Sequence, residues 1–406
     1  MIKKIVNAVK EGTFFEKVFH KIDVEIKTIT RKIYEPFIKV KANRIIFLTF
    51  QGEYNCNPKA IADKLILDNE DYDLIWVIRN KRKGFDSTSY PQKLKLVVRG
   101  SFKFYFYAAS SKIIVDNANN FEYLRLKKKK DQILIQTWHG SLGFKRLDAQ
   151  SLKSDVWSTW KKKIEMAGQI TDYCISNSVF ETNVYRDSYW PNVEILLYGH
   201  PRNDILFNID GKAELISRKV KKLYEIPQNT KIVLYAPTFR DSFDADLYNM
   251  DYKRLINALK IRFGGEWVVM VRFHFKLRNI THLKKYGKDI INVTNYGDIQ
   301  ELLCACDVGI TDYSSWICDF VLTRKPGFLF AMDLDQYKND RGFYYPLDTT
   351  PFPISQSADD LEKQILNFDG NKYKKAVNKF LENKGCVDDG NASDRVARKI
   401  KKIICD

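Results

Sequence analysis

A histidine follows a short apolar run in the first half of the chain. Ile133, Leu134 and Ile135 precede Gln-Thr-Trp, and then come His139 and Gly140. An imidazole titrates near neutral pH, so a histidine at the end of a strand can remove the proton of a substrate hydroxyl. The other interpretation is a structural histidine whose ring nitrogens are hydrogen-bonded within the protein. Gly140 would let the backbone turn sharply or approach a ligand closely.

Cationic and hydroxyl side chains follow other apolar runs in the same way. The stretches are HPRND at 200–204, PTFRD at 237–241, RFH at 272–274 and TDYSS at 311–315. Arginine forks, hydroxyl groups and the N-terminus of a helix all bind phosphate oxygens. The set therefore predicts a phosphate-rich ligand. Its candidate binding groups are Lys145, Arg146, Arg202, Thr238, Arg240, Arg272, His274, Thr311, Asp312, Ser314 and Ser315.

Several of these residues also have a purely structural interpretation. Asn203 and Asp204 are expected to cap the helix that follows them. Asp312 or Ser314 would cap the apolar helix after the TDYSS stretch whether or not a ligand binds there. Arg202 donates either to phosphate or to an ion pair within the protein, and Arg341 belongs either to the same site or to an ordinary surface loop.

Short apolar runs, largely β-branched or aromatic, alternate with helical or irregular segments from residue 44 onward. A first series extends from RIIFLTF to EILLYG, and a second from KIVLYAPT to PGFLFAM. Buried parallel strands have this composition, and their alternation with helices is typical of doubly wound α/β domains. The sequence predicts two such domains, at 44–226 and 227–406, the second ending in helices. Because ligands bind beyond the carboxyl ends of parallel strands, we expect the site in a cleft between the domains.

Residues 1–43 have a different pattern. From Phe15 to Phe37 apolar side chains recur at steps of three and four, with lysine and arginine around them. Thr13 and Glu16 have the spacing of a capping box ahead of this run, so the pattern predicts an amphipathic helix. Two interpretations stay open, since such a helix either packs on the protein's own core or lies on an anionic membrane surface.

The charge of the chain predicts an anionic partner. Its 406 residues include 67 Lys and Arg against 50 Asp and Glu, a formal net charge of +17. Nucleic acid, an anionic membrane and a phosphorylated substrate all fit this charge, but no nucleic-acid-binding motif occurs. The seven cysteines lack metal-ligand spacing and favour a reducing, cytoplasmic setting. We expect no metal site, no cofactor and no membrane-spanning segment.

Six stretches follow one another along the chain: TWHGSLGFKRL, GHPRNDIL, LYAPTFRD, VRFH, ITDYSSWICDF and YKNDRGFYYP. In this order they resemble the CDP-glycerol glycerophosphotransferases, the family of teichoic-acid primases and polymerases and of related CDP-ribitol and capsule enzymes. The resemblance extends from about residue 44 to the C-terminus. The resemblance implies a GT-B-like architecture of two Rossmann-like domains facing a cleft. It also implies transfer of glycerol phosphate or ribitol phosphate from a CDP-activated donor to a hydroxyl of a lipid-linked acceptor, with release of CMP.

The resemblance also assigns roles to residues. It makes His139 the general base and places His274, a second catalytic residue, near the donor pyrophosphate. It implies a peripheral enzyme on the cytoplasmic face of the membrane. The donor side comprises Arg202, Thr238, Arg240, Arg272, Thr311, Asp312, Ser314, Ser315 and Arg341, and the acceptor side comprises Gly140, Ser141, Lys145 and Arg146.

One departure from the family bears on the substrate. The family commonly continues after Trp-His-Gly with Thr-Pro-Leu-Lys, whereas this chain has Ser141 to Lys145 there, which leaves the acceptor and the polyol open. A GT-B glycosyltransferase that uses a nucleotide sugar is the alternative function, and it would typically release UDP or GDP. A non-catalytic nucleic-acid-binding protein is the third, and it would bind generic DNA or RNA with strong salt dependence.

Overall fold

The computed structural model describes residues 33–79, 87–123, 126–146, 165–238, 250–273 and 287–406. Most of the predicted amphipathic helix precedes residue 33 and lies outside the described residues. The end of that segment forms a short 3-10 helix at Glu35–Phe37, which has a proline in its first turn. A strand that opens the first sheet follows directly.

Among the described residues, seven parallel strands form the first sheet, in the order β3-β2-β1-β4-β5-β6-β7. Strand order reverses between β1 and β4, so the switch point of this Rossmann-like sheet lies there. The strands are Lys41–Leu48 (β1), Asp73–Ile78 (β2), Lys95–Val98 (β3), Ser111–Asp116 (β4), Ile133–Gln136 (β5), Tyr173–Ser176 (β6) and Glu194–Leu197 (β7).

Strand β1 shows why its sheet is buried on both faces. Ile45 and Phe47 pack into the core on one face, and Ile46 and Leu48 pack into the core on the other. Successive side chains of a strand point to opposite faces, so a sheet covered on both sides needs an unbroken apolar run. The helices of this domain within the described residues are Cys56–Leu67 (α1), Phe102–Ser110 (α2), Asn120–Tyr123 (α3) and Val179–Ser188 (α4).

The second sheet has six parallel strands within the described ranges, in the order β10-β9-β8-β11-β12-β13. Its switch point lies between β8 and β11. The strands are Lys231–Tyr235 (β8), Trp267–Val271 (β9), Ile290–Asn292 (β10), Val308–Thr311 (β11), Gly327–Phe330 (β12) and Ile354–Ser355 (β13). The helices are Lys212–Leu223 (α5), Tyr252–Phe263 (α6), Ile299–Ala305 (α7), Trp316–Phe320 (α8), Leu334–Arg341 (α9), Ala358–Leu366 (α10), Gly370–Asn383 (α11) and Ala392–Cys405 (α12).

The last helix, α12, returns to the first domain. Val396, Ala397 and Ile400 are buried in the same core as Ile45 and Phe47 of β1. The chain therefore crosses between the domains twice, once after β7 and once before α12. The domain boundaries at 44 and 227 stay predictions, and α12 packs against the first sheet although it follows the second in sequence.

Asp204 caps this last helix. Its carboxylate accepts hydrogen bonds from the backbone N–H groups of Ala392 at 2.9 Å and Ser393 at 2.7 Å. The prediction that Asp204 caps the helix directly after it is therefore wrong. The reason is that Asp204 lies inside a 3-10 helix, Pro201–Phe207, and that tertiary packing brings α12 beside that segment.

Candidate active site

A cleft of about 330 Å³ lies between the two domains, where the carboxyl ends of both sheets meet. The first domain lines it with residues that follow β1, β4 and β5, and the second with residues that follow β9 and β11. The cleft therefore lies where a ligand site between two parallel sheets was expected. The strand-end residues that line the cleft include Phe50, Asn117, His139, Arg272, Ser314 and Ser315.

His139 is directed into the cleft by an unusual turn. Trp138 has a φ of 48°, a left-handed conformation that few non-glycine residues adopt. Its backbone N–H donates to the side-chain oxygen of Gln136 at 2.8 Å, and its indole packs on Tyr189 and Trp190. Strained backbone of this kind persists where the surroundings hold it, and such residues cluster at functional sites. The turn ends β5 and exposes the next residue, His139.

The hydrogen bond of the imidazole defines its tautomer. The Nδ1 atom of His139 lies 2.6 Å from the backbone carbonyl oxygen of Asn117, the residue that follows β4. A carbonyl can only accept, so Nδ1 carries the proton and donates it. The basic lone pair then lies on Nε2. The Phe50 ring stacks on the imidazole at a centroid distance of 6.1 Å. This arrangement suits a general base.

The backbone at Gly140 packs closely against the Trp138 side chain. A Cβ at this position would lie 3.1 Å from the Cδ1 atom of Trp138, which is tighter than ordinary contact. The backbone carbonyl of Gly140 accepts a hydrogen bond from Arg202. The close approach to a ligand expected of Gly140 stays a prediction.

Two residues predicted on the acceptor side, Lys145 and Arg146, contact the second domain, whereas Ser141 bonds within the first. Ser141 accepts a hydrogen bond from the Asn177 side chain at 3.1 Å, and Lys145 forms an isolated antiparallel bridge with Phe343. The backbone N–H of Arg146 donates to the Gly342 carbonyl at 3.1 Å. Ser141 and Lys145 line a small neighbouring cavity of about 70 Å³. Their contact with an acceptor stays a prediction.

Three residues predicted on the donor side, Thr238, Thr311 and Asp312, form hydrogen bonds between the ends of two strands of the second sheet. The backbone N–H of Thr238 donates to the Asp312 carboxylate at 2.8 Å. The Thr311 hydroxyl donates to the Ala236 carbonyl at 2.8 Å. These bonds tie the end of β11 to the end of β8. Next to them, Ser315 is the N-cap residue of α8, and its side chain makes no capping hydrogen bond within this described segment.

The predicted cations of the second domain are only partly described. Arg272 lines the cleft, and its guanidinium donates to the Tyr296 carbonyl at 2.5 Å. Arg240 and His274 lie outside the described residues. The backbone of Arg341 ends α9, but its side chain is not among those described. The donor contacts expected of these residues remain predictions.

Arg202 is buried at the junction of the two domains. Only 6% of the residue is exposed, and its guanidinium pairs with the Asp319 carboxylate, Nε to Oδ2 at 3.1 Å and Nη2 to Oδ1 at 3.2 Å. Asp319 also accepts hydrogen bonds from Asn203 at 3.1 Å and Gln300 at 2.9 Å. Arg202 therefore joins the domains, and the phosphate contact expected of it stays a prediction.

His200, to which the sequence assigned no role, belongs to a buried polar network. Its Nε2 atom lies 2.9 Å from the Glu181 carboxylate, and its backbone N–H donates to Asp388 at 2.7 Å. Burial opposes ionisation of Glu181, but His200 and hydrogen bonds from Tyr185 and the Asn177 backbone hold its pKa below the usual value. Burial raises the pKa of Asp388 to about 6, against the lowering effect of His200 and of its hydrogen bonds. The hydrogen bonds of His200, Glu181 and Asp388 form this buried network at the domain junction.

Sequence reasoning missed Asn57, Asn117, Gln300 and Asp319. Asn117 acts through its backbone carbonyl, which carries no residue-specific signal. Asn57 and Gln300 lie on helices among ordinary polar residues. Asp319 could have been found from the sequence, because its carboxylate lies inside the apolar run WICDFVL. A charge that is buried in this way requires a partner.

Comparison with known proteins identifies the family. A family model described as CDP-Glycerol:Poly(glycerophosphate) glycerophosphotransferase matches residues 30–402. The chain belongs to this family. The resemblance inferred from the six stretches is thereby confirmed.

Two curated members of the family show how much of a relative this chain matches. The teichoic acid poly(glycerol phosphate) polymerase of Staphylococcus epidermidis is 32% identical over 377 residues, which are 90% of this chain and 51% of that protein. The teichoic acid glycerol-phosphate transferase of Staphylococcus aureus is 28% identical over 391 residues, which are 93% of this chain and 98% of that protein. The chain thus spans about half the length of the first relative and nearly all of the second.

A solved structure of the same family confirms the fold. The wall teichoic acid polymerase TagF matches with a TM-score of 0.81 and 30% identity over 97% of this chain and 98% of that chain. The expected GT-B-like arrangement of two Rossmann-like domains is therefore confirmed. In the parts of the chain that the structure describes, no helix is both long and apolar enough to cross a bilayer.

Proposed function

We propose that the protein transfers a polyol phosphate from a CDP-activated donor to a hydroxyl of a teichoic-acid-type acceptor and releases CMP. The observation that carries this proposal is the placement of His139, whose Nδ1 atom lies within hydrogen-bond distance of the Asn117 carbonyl, in a cleft between two parallel sheets. Membership of the glycerophosphotransferase family and the names of its relatives support the same class of reaction.

In this reaction the acceptor oxygen forms a bond to the phosphorus that carries the polyol. The bond from that phosphorus to the bridging oxygen breaks, and CMP leaves. The acceptor proton passes to Nε2 of His139. The hydrogen bond from Nδ1 to the Asn117 carbonyl stabilises the imidazolium that results, because a charged donor strengthens it.

The donor side of the site is proposed in the second domain. Arg272, Ser314 and Ser315 line the cleft there, opposite His139. Together with Arg240, His274 and Arg341, they would bind the pyrophosphate, because cationic and hydroxyl donors neutralise the charge that develops on the leaving group. No metal is required by this proposal, and the described residues contain no group of three metal-ligating side chains.

Release of the nucleotide tests the proposal directly. We expect CMP to be released when the purified protein is incubated with CDP-glycerol or CDP-ribitol and membranes of a teichoic-acid-producing bacterium. UDP-sugars and GDP-sugars serve as matched controls, and chromatography of the nucleotide products is the measurement. Release of UDP or GDP without CMP would establish the glycosyltransferase alternative instead.

The protein is also proposed to act at the anionic, cytoplasmic surface of a membrane, where a lipid-linked acceptor is available. Two described features support this. Ile33 is 67% exposed and Phe37 is 84% exposed, although both are large and apolar. The Lys129 ammonium donates to the carbonyl of Ile38, so a run of four lysines at 127–130 lies beside this segment. Apolar side chains next to lysines bind anionic lipid.

Deleting residues 1–40 is expected to abolish sedimentation with phosphatidylglycerol vesicles while leaving a folded protein. Each lysine or arginine near an anionic surface contributes about 1 kcal/mol, and the deletion removes a basic, apolar segment. Sedimentation of the full chain with vesicles of neutral phosphatidylcholine is the control. If the truncated chain unfolds by circular dichroism, or still sediments, membrane binding by this segment is refuted.

A further inference from the structure

The peptide groups around His139 are held from outside their own loop. The Asn57 side-chain amide donates to the carbonyl of Thr137 at 3.0 Å and to that of Trp138 at 3.3 Å. On the other side of His139, Nη2 of Arg202 donates to the carbonyl of Gly140 at 2.5 Å. Backbone carbonyls both before and after the base are therefore fixed by buried side chains.

These two side chains are joined to each other and to the second domain. The backbone N–H of Arg202 donates to the side-chain oxygen of Asn57 at 3.1 Å. The Arg202 guanidinium pairs with both oxygens of Asp319, which lies on α8 of the second domain. A continuous series of hydrogen bonds thus connects a helix of one domain to the peptide groups that flank the base in the other.

The turn at His139 needs such support. The left-handed conformation of Trp138 is unfavourable for a residue with a side chain, and it persists only where its surroundings hold it. Displacement of a catalytic group by about 1 Å can lower a rate by about 10²-fold. Small changes in the hydrogen bonds to these carbonyls should therefore change turnover strongly.

We propose that Asn57 and Arg202 are positioning residues for His139, and that Asp319 makes their placement depend on contact between the two domains. This inference rests on the proposed function of His139 as the base. The donor is proposed to bind in the second domain. When that domain packs against the first, the hydrogen bonds through Asp319 and Arg202 would fix the position of His139.

Asn57 separates positioning from direct binding. Arg202 and Asp319 line the cleft, so a variant of either could alter a contact with the donor as well. Asn57 is fully buried, with 0% of the residue exposed, and cannot contact a donor in the cleft. An effect of Asn57 on turnover therefore reports placement of the base.

The test uses Asn57→Ser and Asp319→Asn in the full-length protein. We expect kcat with CDP-polyol to fall by about 10- to 100-fold in each, with KM for the donor changed by less than about twofold in Asn57→Ser. In the spectra of protein labelled with ¹³C,¹⁵N-histidine, the His139 signals should move away from those of an Nδ1-protonated ring. The spectrum of His139→Asn identifies which of the five histidines gives those signals.

Lys59→Gln is the matched control. Lys59 also joins the two domains, through ion pairs with Asp298 at 3.1 Å and Glu301 at 3.3 Å, but these do not run to the peptide groups around His139. We expect its kcat and its His139 signals to match those of the wild type. The same changes in Lys59→Gln as in Asp319→Asn would overturn the specific link through Arg202.

The double variant Asn57→Ser/Asp319→Asn completes the test. Because both changes act through one series of hydrogen bonds, we expect the double variant to lose about as much turnover as the more affected single variant. Fully additive losses, or unmoved His139 signals in Asn57→Ser, would overturn the proposal. The spectra report on His139 even if no CDP-polyol proves to be a substrate, so failure of the proposed function remains distinguishable.

Discussion

Replacing His139 with alanine is expected to lower turnover by about 10²- to 10⁴-fold, the usual contribution of a general base. The loss arises because Nε2, which would take the acceptor proton, is removed with the ring. Donor affinity should stay near its wild-type value, since the proposed donor contacts lie in the second domain. The measurements are CMP release at steady state and calorimetric titration with the CDP-polyol.

A second variant separates loss of the base from collapse of the turn. In His139→Asn the side-chain amide can still donate to the Asn117 carbonyl, as Nδ1 does at 2.6 Å in the wild type. We expect the same loss of turnover as in His139→Ala, with unchanged thermal stability. Near-normal turnover of either variant on the true acceptor would refute the assignment of His139 as the base.

Replacing Arg202 with methionine is expected to lower the free energy of unfolding by about 3–5 kcal/mol, the usual result when one partner of a buried ion pair is removed. Arg202 and Asp319 have side chains only 6% and 4% exposed, so Asp319 would keep a buried charge without its cation. The remaining hydrogen bonds from Asn203 and Gln300 compensate only in part. Urea denaturation followed by circular dichroism measures the change.

Two controls test whether the loss in the free energy of unfolding comes from the Asp319 carboxylate that is left without its cation. In Arg202→Met/Asp319→Leu both charges are absent, so we expect much of the stability to return, because apolar replacements of buried pairs are often neutral. Lys260→Met breaks an exposed pair with Glu266, whose side chains are 39% and 73% exposed, and should cost less than about 1 kcal/mol. A loss in Arg202→Met as small as that of Lys260→Met would contradict the prediction.

The sequence alone determined the two parallel sheets and the placement of His139 at the cleft. Apolar runs such as those of β1 and β5 reflect burial on both faces of a sheet, and burial is encoded locally in the residues themselves. The site followed from the same logic, because residues directly after parallel strands share one edge of the sheet. His139, Arg272, Ser314 and Ser315 were placed at the cleft in this way, and the structure brings these residues to it.

Tertiary structure decided what the buried polar side chains do. Arg202 was expected to bind phosphate or to form an ion pair, and only the structure identifies Asp319, 117 positions further along the chain, as the partner of its guanidinium. Asp204 caps a helix 188 positions away, and Asn57 holds carbonyls 80 and 81 positions away. No periodicity or local propensity encodes such pairs, because a buried polar group takes whichever partner the packing of distant segments brings within hydrogen-bond distance.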